Sequence, residues 1–550
     1  MVVAAEKTQM LVLSQWHRDA VDCQIKMAGK TVSATDSISL LGVQLDRLLH
    51  FGPHCHKLRK KVRPRIAQLR QLSGRSWGLE EDLLRTVASG YVRGALEHAA
   101  AAWLPATPPS HVELLEREMR AAARVVTGCT RSTPSDALMA EAGLLPVSVR
   151  RRTLAARFLA KATALPPEEP LHRVAASDAP ARLRSVTGWR TLGREMWEAA
   201  GVGPPIDPVS QASVPPWEVK SGVTISLDVG PLPLNATSTQ KRDAATCHLG
   251  SLPQCATWVW SDGSVEGGIT NGGAGVFIED PDGQQHLLTV PAGNVCSSYR
   301  AEMVALREAL KFLLDRQTLP PEPIVICTDS QSALATLRGG PSTQTTLIGG
   351  EIWAALQQLA ARGRRTYLQW VPSHCGLPGN ERADELAKQA SALDQEEVPV
   401  DAMTVYRAVA RTARDQWVSD WPRGWYRSLM GAKLPGPVRH LDRAEAVDVH
   451  QLRAGHWSGS AQYLHRIGRN PSRHCPQCED VDCQGARCPL CRETADTPYH
   501  VLVECPALMG ARLRLTGTIR PNREEVRSDG VVAALAAAFR TLQSRQATVD

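Results

Sequence analysis

The feature that most constrains this chain is an alternation of strand-like and helix-like segments over residues 255–395. Thr257–Ser261 reads as a strand. Gly275–Glu279 and His286–Pro291 read as two more, joined by a turn at Pro281-Asp282-Gly283. Within Ser298–Arg316, the residues Met303, Leu306, Leu310 and Leu313 recur at helical spacing and make one apolar face. Ile324–Cys327 is a short unbroken apolar run, the pattern of a strand covered on both faces. Gln331–Arg338 and Glu351–Arg362 read as helices, Thr366–Val371 as a strand and Asn380–Ala390 as a helix. The expected fold class is therefore α/β, with a mixed sheet and flanking helices.

Four acids sit where such a pattern converges. Asp262 follows the first strand in W-S-D-G-S, and Glu302 lies on the first long helix in Y-R-A-E-M. Asp329 ends the central strand in I-C-T-D-S, and Asp384 lies on the last helix in N-E-R-A-D-E-L-A. The ends of strands and facing helices are where open α/β sheets place their chemistry. Carboxylates held together repel one another and lose solvation, and a multivalent cation relieves both costs. Hard oxygen ligands favour magnesium or manganese over zinc. Two such ions about 4 Å apart can clamp the attacking and leaving oxygens of a phosphodiester. His374, in the loop V-P-S-H-C-G-L-P-G-N, could give a proton to a leaving group or help release product. Each residue alone has an ordinary explanation. T-D-S suits a helix N-cap, Glu302 suits a solvated helix face, and surface histidines are common. Their joint occurrence, in this order and with these neighbours, points to a site.

The motifs S-D-G-S, Y-R-A-E, T-D-S-Q and W-V-P-S-H-C-G-L-P-G-N-E-R-A-D-E-L-A resemble the type-1 ribonuclease H family, in the form found in non-LTR retrotransposon polyproteins. The resemblance covers about residues 255–395. It implies that Asp262, Glu302, Asp329 and Asp384 hold two magnesium or manganese ions, that His374 is the loop histidine, and that Asn380 is the asparagine beside the last acid. The implied activity is endonucleolytic cutting of the RNA strand of an RNA–DNA hybrid, with little sequence preference. One departure stands out: G-G-P-S-T-Q-T-T-L-I-G-G, between two of the helices, carries no Lys or Arg, whereas some family members have a basic helix there. Hybrid affinity must then come from other parts of the chain or from a partner.

Residues 1–160 hold 23 basic and 14 acidic side chains, a local excess of nine in a chain of net charge +7. Lys57, Arg59, Lys60 and Lys61 are candidates for gripping nucleic-acid phosphates, although many basic segments are only solvated faces. Leu58, Val62, Ile66 and Leu69 recur at helical spacing here, and Pro64 argues against one unbroken helix. Ser39–Asp46 suits a strand, and Leu83–Trp103 and His111–Val126 suit helices. L-L-G-V-Q-L-D-R-L-L-H-F-G-P-H-C and A-A-A-W-L-P-A-T resemble the thumb-like segment downstream of the palm in non-LTR reverse transcriptases. The palm of such polymerases needs an Asp-Asp turn, and the chain contains no Asp-Asp dipeptide. The expectation is a truncated element copy, or the C-terminal part of a longer polyprotein, without polymerase activity. A reverse transcriptase would then be supplied in trans.

Of 14 Cys, six fall between Cys475 and Cys505. Cys488, Cys491, His500 and Cys505 have the ligand types and spacing of a closed, structural zinc site. Their segment resembles the zinc-knuckle-like C-terminus of non-LTR polyproteins. Cys475 and Cys478, with Cys483 and His474 nearby, could replace one pair or build another site.

The resulting order is a basic, mostly helical region over 1–165, a Pro-rich linker over 166–250, a nuclease-like domain over 251–396, a helical region over 397–470, a zinc-knuckle-like motif over 471–510 and a tail over 511–550. The linker reading rests on eleven Pro in 85 residues, with one short helix near Trp189–Ala200. Val531–Phe539 is about half the ~20 residues needed to span a bilayer, so no membrane partner is expected. No signal peptide is evident, which favours an intracellular place, and retroelement likeness implies the nucleus. A rival reading is a catalytically silent remnant that binds nucleic acid through the basic arm and the zinc motif.

Overall fold

A computed structural model describes residues 7–14, 16, 18, 22–177, 188–203, 205–209, 222–233, 235–316, 322–467 and 487–547. His474, Cys475, Cys478 and Cys483 lie outside the described residues. Among those described, no helix is long and apolar enough to cross a membrane. The chain divides into two compact units, one built from Met1–Leu154, Ala181–Trp189 and Ala413–Asp550, the other from Ala155–Pro180 and Arg190–Thr412.

The second unit carries a six-stranded mixed sheet. Its elements, in chain order, are β1 (Val223–Ser226), α1 (Ser238–Gly250), β2 (Thr257–Glu266), β3 (Thr270–Glu279), β4 (Gln285–Val295), α2 (Ser298–Asp315), β5 (Ile324–Thr328), α3 (Gln331–Arg338), α4 (Leu347–Ala361), β6 (Thr366–Trp370) and α5 (Pro378–Ser391). The strands run in the order β1-β6-β5-β2-β3-β4. β1, β6, β5 and β2 are mutually parallel, and β2, β3 and β4 form an antiparallel meander. Ile324, Val325, Ile326 and Cys327 are all buried, so β5 is covered on both faces as its composition demands. One face packs against α2 and α4 through Val259, Ile326, Leu306, Leu310 and Leu356. The other holds Val325, Cys327 and Val371 against Ala245 and Leu249 of α1.

Several readings need correction here. First, Asp262 does not follow the first strand but lies inside it, paired with Gly275. β3 also begins at Thr270 rather than Gly275. The stretch N-G-G-A-G has low strand propensity but high positional value. A Cβ on Gly273 would fall 2.1 Å from the Ala387 carbonyl oxygen, and one on Gly275 2.2 Å from that of Ala383. Glycine is what allows α5 to lie directly on the strand. Second, the Pro-rich stretch supplies β1 and α1 to this unit, besides the short helices Pro170–Ala176 and Trp189–Ala199. Third, the helix Gly52–Arg70 runs through Pro64. Pro64 is exposed, so water can satisfy the carbonyl left without a donor.

In the first unit, N-terminal and C-terminal segments share one core. Leu84, Trp103, Met119 and Leu138 belong to the same buried cluster as Trp421, Leu452, Trp457, Leu502 and Phe539. The expected helix over Leu83–Trp103 is interrupted: Glu81–Val87 passes into a π-helical turn at Ala88–Arg93, and Ala99, at φ 50°, precedes Ala100–Trp103. The expected strand Ser39–Asp46 is a hairpin, Ser37–Leu40 with Val43–Asp46, turning at Leu41 and Gly42 with positive φ at both. Both ring nitrogens of the buried His450 meet carboxylates, Nδ1 at 2.6 Å from Glu141 and Nε2 at 2.8 Å from Glu81. Burial alone would lower the His450 pKa, but its bonds to these two carboxylates raise it.

Candidate active site and metal centres

The acidic site is assembled by close backbone approach. A Cβ on Gly263 would lie 2.4 Å from the Glu302 backbone nitrogen and 2.6 Å from the Ala301 carbonyl carbon. Without one, β2 sits directly against the first turns of α2, and Asp262 and Glu302 meet. α2 begins there because Ser297 accepts from the Arg300 N–H at its N-cap. β5, parallel to β2, brings Asp329 to the same end of the sheet. Asp262, Glu302 and Asp329 each offer a carboxylate oxygen, all within 4.8 Å of one another.

The surroundings penalise negative charge. Burial, then the nearby Asp329 and Asp384, push the Asp262 carboxyl up to about 7. Burial, followed by the charges of Asp262 and Asp329, raises Glu302 well above the usual carboxylate range. Asp329 is raised by burial, although a bond from Asn380 and the charge of His374 oppose the rise. Fixed partners hold the oxygens in place. The Gly263 N–H donates to Asp262 Oδ1 at 2.9 Å, and the Thr328 hydroxyl faces Glu302 Oε2 at 3.5 Å. Asn380 Nδ2 faces Asp329 Oδ2 at 3.5 Å, and the Trp370 indole donates to the Asp329 carbonyl at 3.1 Å. Clustered hard oxygen donors whose ionisation is suppressed are the environment that a divalent cation reverses.

Asp384 is beside this trio, not within it. Its charge bears on both Asp262 and Asp329, but its carboxylate pairs with Lys388 at 2.5 Å, one turn along α5. Asn380 is buried on the first turn of the same helix. His374 is exposed on the loop before it, at φ 49°, close enough for its charge to bear on Asp329. Sequence reasoning missed Thr328, Trp370, Gly263 and Lys388. The i,i+4 spacing of Asp384 and Lys388 was a readable signal. The role of Gly263 was not, because it depends on how closely a distant helix approaches.

Cys488, Cys491, His500 and Cys505 bring their ligand atoms within 4.8 Å of one another. A bond from the Cys488 N–H to the Thr494 carbonyl and the Arg487–Ala495 bridge form a knuckle, with Arg492 at φ 62°. The π-helical turn His500–Glu504 then delivers His500 and Cys505. His500 Nδ1 lies 3.0 Å from Thr494 Oγ1, which leaves Nε2 facing Cys491 Sγ at 3.4 Å. The Cys505 sulfur and burial push the Cys488 thiol up to about 12, while the same contact lowers Cys505. Three soft sulfurs and one imidazole suit zinc.

The basic arm divides. Lys57, Lys60 and Lys61 are exposed on the helix Gly52–Arg70. Arg59 is half-buried and donates to Glu118 at 3.1 Å, so its side chain serves the packing of two helices rather than facing solvent with the lysines.

Comparison with known proteins falls on the second unit. The family model described as RNase H matches residues 254–392. A retrovirus-related Pol polyprotein from type-1 retrotransposable element R1 4 of Nasonia vitripennis is 32% identical over 140 residues. That match takes in 25% of this chain and 35% of the polyprotein, so the chain spans about a third of that relative. The ribonuclease H of Bordetella pertussis is 32% identical over 142 residues, 24% of this chain and 86% of that enzyme. The ribonuclease HI of Neisseria meningitidis serogroup A is 30% identical over 145 residues, 24% of this chain and 94% of that enzyme.

Proposed function

Because the chain belongs to the ribonuclease H family through residues 254–392, we propose that it hydrolyses the RNA strand of RNA–DNA hybrids at the Asp262, Glu302 and Asp329 site. The observation that carries this reading is the convergence within 4.8 Å of three carboxylates from three separate elements, two buried and that of Asp329 half-buried. They would hold paired magnesium or manganese ions, with Asp384 reaching in from α5. When bound, such ions supply an activated water and neutralise charge on the phosphodiester. The chain's own residues do the rest. Thr328 and the Gly263 N–H fix the Glu302 and Asp262 oxygens, and Asn380 aims Asp329. An imidazole nitrogen of His374, on its exposed loop, can pass a proton to the departing 3′ oxygen.

Two further assignments complete the reading. Cys488, Cys491, His500 and Cys505 would hold a structural zinc ion, because three clustered sulfurs and a preset imidazole gain most from it. Lys57, Lys60 and Lys61 would contact nucleic-acid phosphates, and reversing their charges should weaken binding and flatten its salt dependence. A reverse transcriptase acting in trans and a nuclear place of work follow from the resemblance of residues 1–165 and of the nuclease motifs to non-LTR retrotransposon polyproteins.

The test is an end-labelled hybrid incubated with purified chain and magnesium or manganese. Internal cuts in the RNA strand, leaving 5′-phosphate and 3′-hydroxyl ends, are expected, with single-stranded RNA left intact. No cutting with either cation, or equal cutting by Asp329→Asn, would refute the assignment.

A further inference from the structure

A nucleic-acid duplex brought to three clustered carboxylates meets repulsion unless cations outside the metal set receive its backbone. The cations nearest the site on α5 are already engaged. Lys388 pairs with Asp384, and Arg382 pairs with Glu385 at 2.7 Å. Arg300, at the start of α2, pairs with Asp207 at 2.6 Å and is buried. The segment between α3 and α4 contains no Lys or Arg.

α1 lies just before residue 254, outside the stretch that the family model matches. β1 is parallel to β6 and β5, so the loop from β1 into α1 emerges at the end of the sheet that carries Asp329. Tethers fix it there. Gln369 Nε2 donates to the Asp228 carbonyl at 2.8 Å, and Gln369 Oε1 meets His248 Nε2 of α1 at 3.0 Å. A capping box of Thr237 and Gln240 sets the first turn and satisfies two of its free backbone donors. The helix presents Lys241 and Arg242 at and just after that turn, both exposed. The Arg242 guanidinium stands against the His374 loop, 3.6 Å from where a Cβ on Gly376 would be. Lys241 bears electrostatically on Cys375 of the same loop. Among the described residues, the carboxylate paired with Arg242 is that of its neighbour Asp243, at 3.8 Å. The first turn of α1 holds no acidic residue, and Lys241 at its end with Arg242 just after it oppose the helix dipole. Helix stability therefore gives no reason for them.

We infer that α1 is a hybrid-binding element, with Lys241 and Arg242 receiving backbone phosphates of an RNA–DNA hybrid beside the His374 loop. The inference rests on the proposed nuclease reading and adds to it the part of the chain that seats the substrate.

The test is the double variant Lys241→Glu, Arg242→Glu in the full chain, with Lys311→Glu, an exposed charge on α2, as control. For cleavage, KM for the hybrid should rise about tenfold or more with kcat within about twofold, and the slope of log affinity against log salt should fall by about two. Lys311→Glu should leave all three unchanged. Binding of a fluorescent hybrid to Asp329→Asn, without divalent cation, reads the same loss independently of cutting. If the chain with Asp329 intact fails to cut while the double variant still shows this binding loss, the nuclease proposal is refuted and the role of α1 is supported. Normal cutting, with KM and salt slope of the double variant unchanged, would overturn the role of α1 alone.

Discussion

Gly263→Ala is the sharpest perturbation of the site, because it adds one methyl group and no charge. That methyl would stand 2.4 Å from the Glu302 nitrogen and 2.6 Å from the Ala301 carbonyl carbon, where ordinary contact begins at 3.4 Å. The obstacles are backbone atoms and the Ala301 Cβ of a helix whose other side is packed, so no flexible side chain can yield. β2 and α2 must separate by about 1 Å, and overpacking of this kind costs about 1–3 kcal/mol. The chain stays folded on that scale, but Glu302 withdraws from Asp262 and Asp329. Misplacement of a catalytic group by about 1 Å costs on the order of a hundredfold in rate. The assay is single-turnover cleavage of a labelled hybrid at saturating magnesium, beside thermal unfolding. Gly203→Ala, where an added Cβ meets nothing within 4 Å, serves as the control. A Gly263→Ala chain that cuts at the wild-type rate would refute the claim that strand–helix approach sets the geometry of the acids.

Other expectations follow from the charges. Asp262 holds its proton to about 7 in the folded chain against 3.8 when unfolded, so the folded state binds the proton more tightly. Cation-free stability should therefore fall as pH rises from about 4 towards 7, by at most about 4 kcal/mol, and urea unfolding in chelator should show a flatter profile for Asp262→Asn. The raised pKa of His450 contributes stability that is fully present below 6.5 and is lost as pH rises through the folded value. His450→Ala leaves Glu81 with Arg85 as its remaining ion-pair partner and Glu141 with the Tyr426 hydroxyl, and should cost about 3–5 kcal/mol, read by denaturant unfolding at neutral pH. Elemental analysis should find about one zinc per chain, absent from Cys491→Ser, and chelation should lower the melting temperature. Full-length zinc-free chain with an unchanged melting temperature would contradict the zinc assignment.

The sheet and its acids were legible because each element announces itself locally. Ile324–Cys327 is apolar without interruption, α2 repeats its apolar residues every three to four positions, and Asp329 ends a strand that can only be central. β1 and α1 were not legible. Val-Thr-Ile-Ser is too short to signal a strand amid prolines, and α1 is polar around most of its circumference, burying Ala245 and Leu249. The N-terminal half of β3 was hidden by the glycines that α5 requires. The shared core of Leu84 and Trp103 with Trp457 and Phe539 joins residues hundreds of positions apart, and no local pattern encodes such a pairing. The acids were read as a quartet of equals. The structure separates Asp384, whose partner Lys388 lies one helical turn away.

The most direct test compares RNA-strand cleavage by Asp262→Asn, Glu302→Gln, Asp329→Asn and Asp384→Asn with wild type, all at one saturating magnesium concentration. Each of the first three should lose about a hundredfold or more, since each removes a hard ligand from a site with none to spare. Asp384→Asn should also slow the reaction. Wild-type rates in any of the first three variants would mean that the clustered carboxylates are not where the phosphodiester is cut.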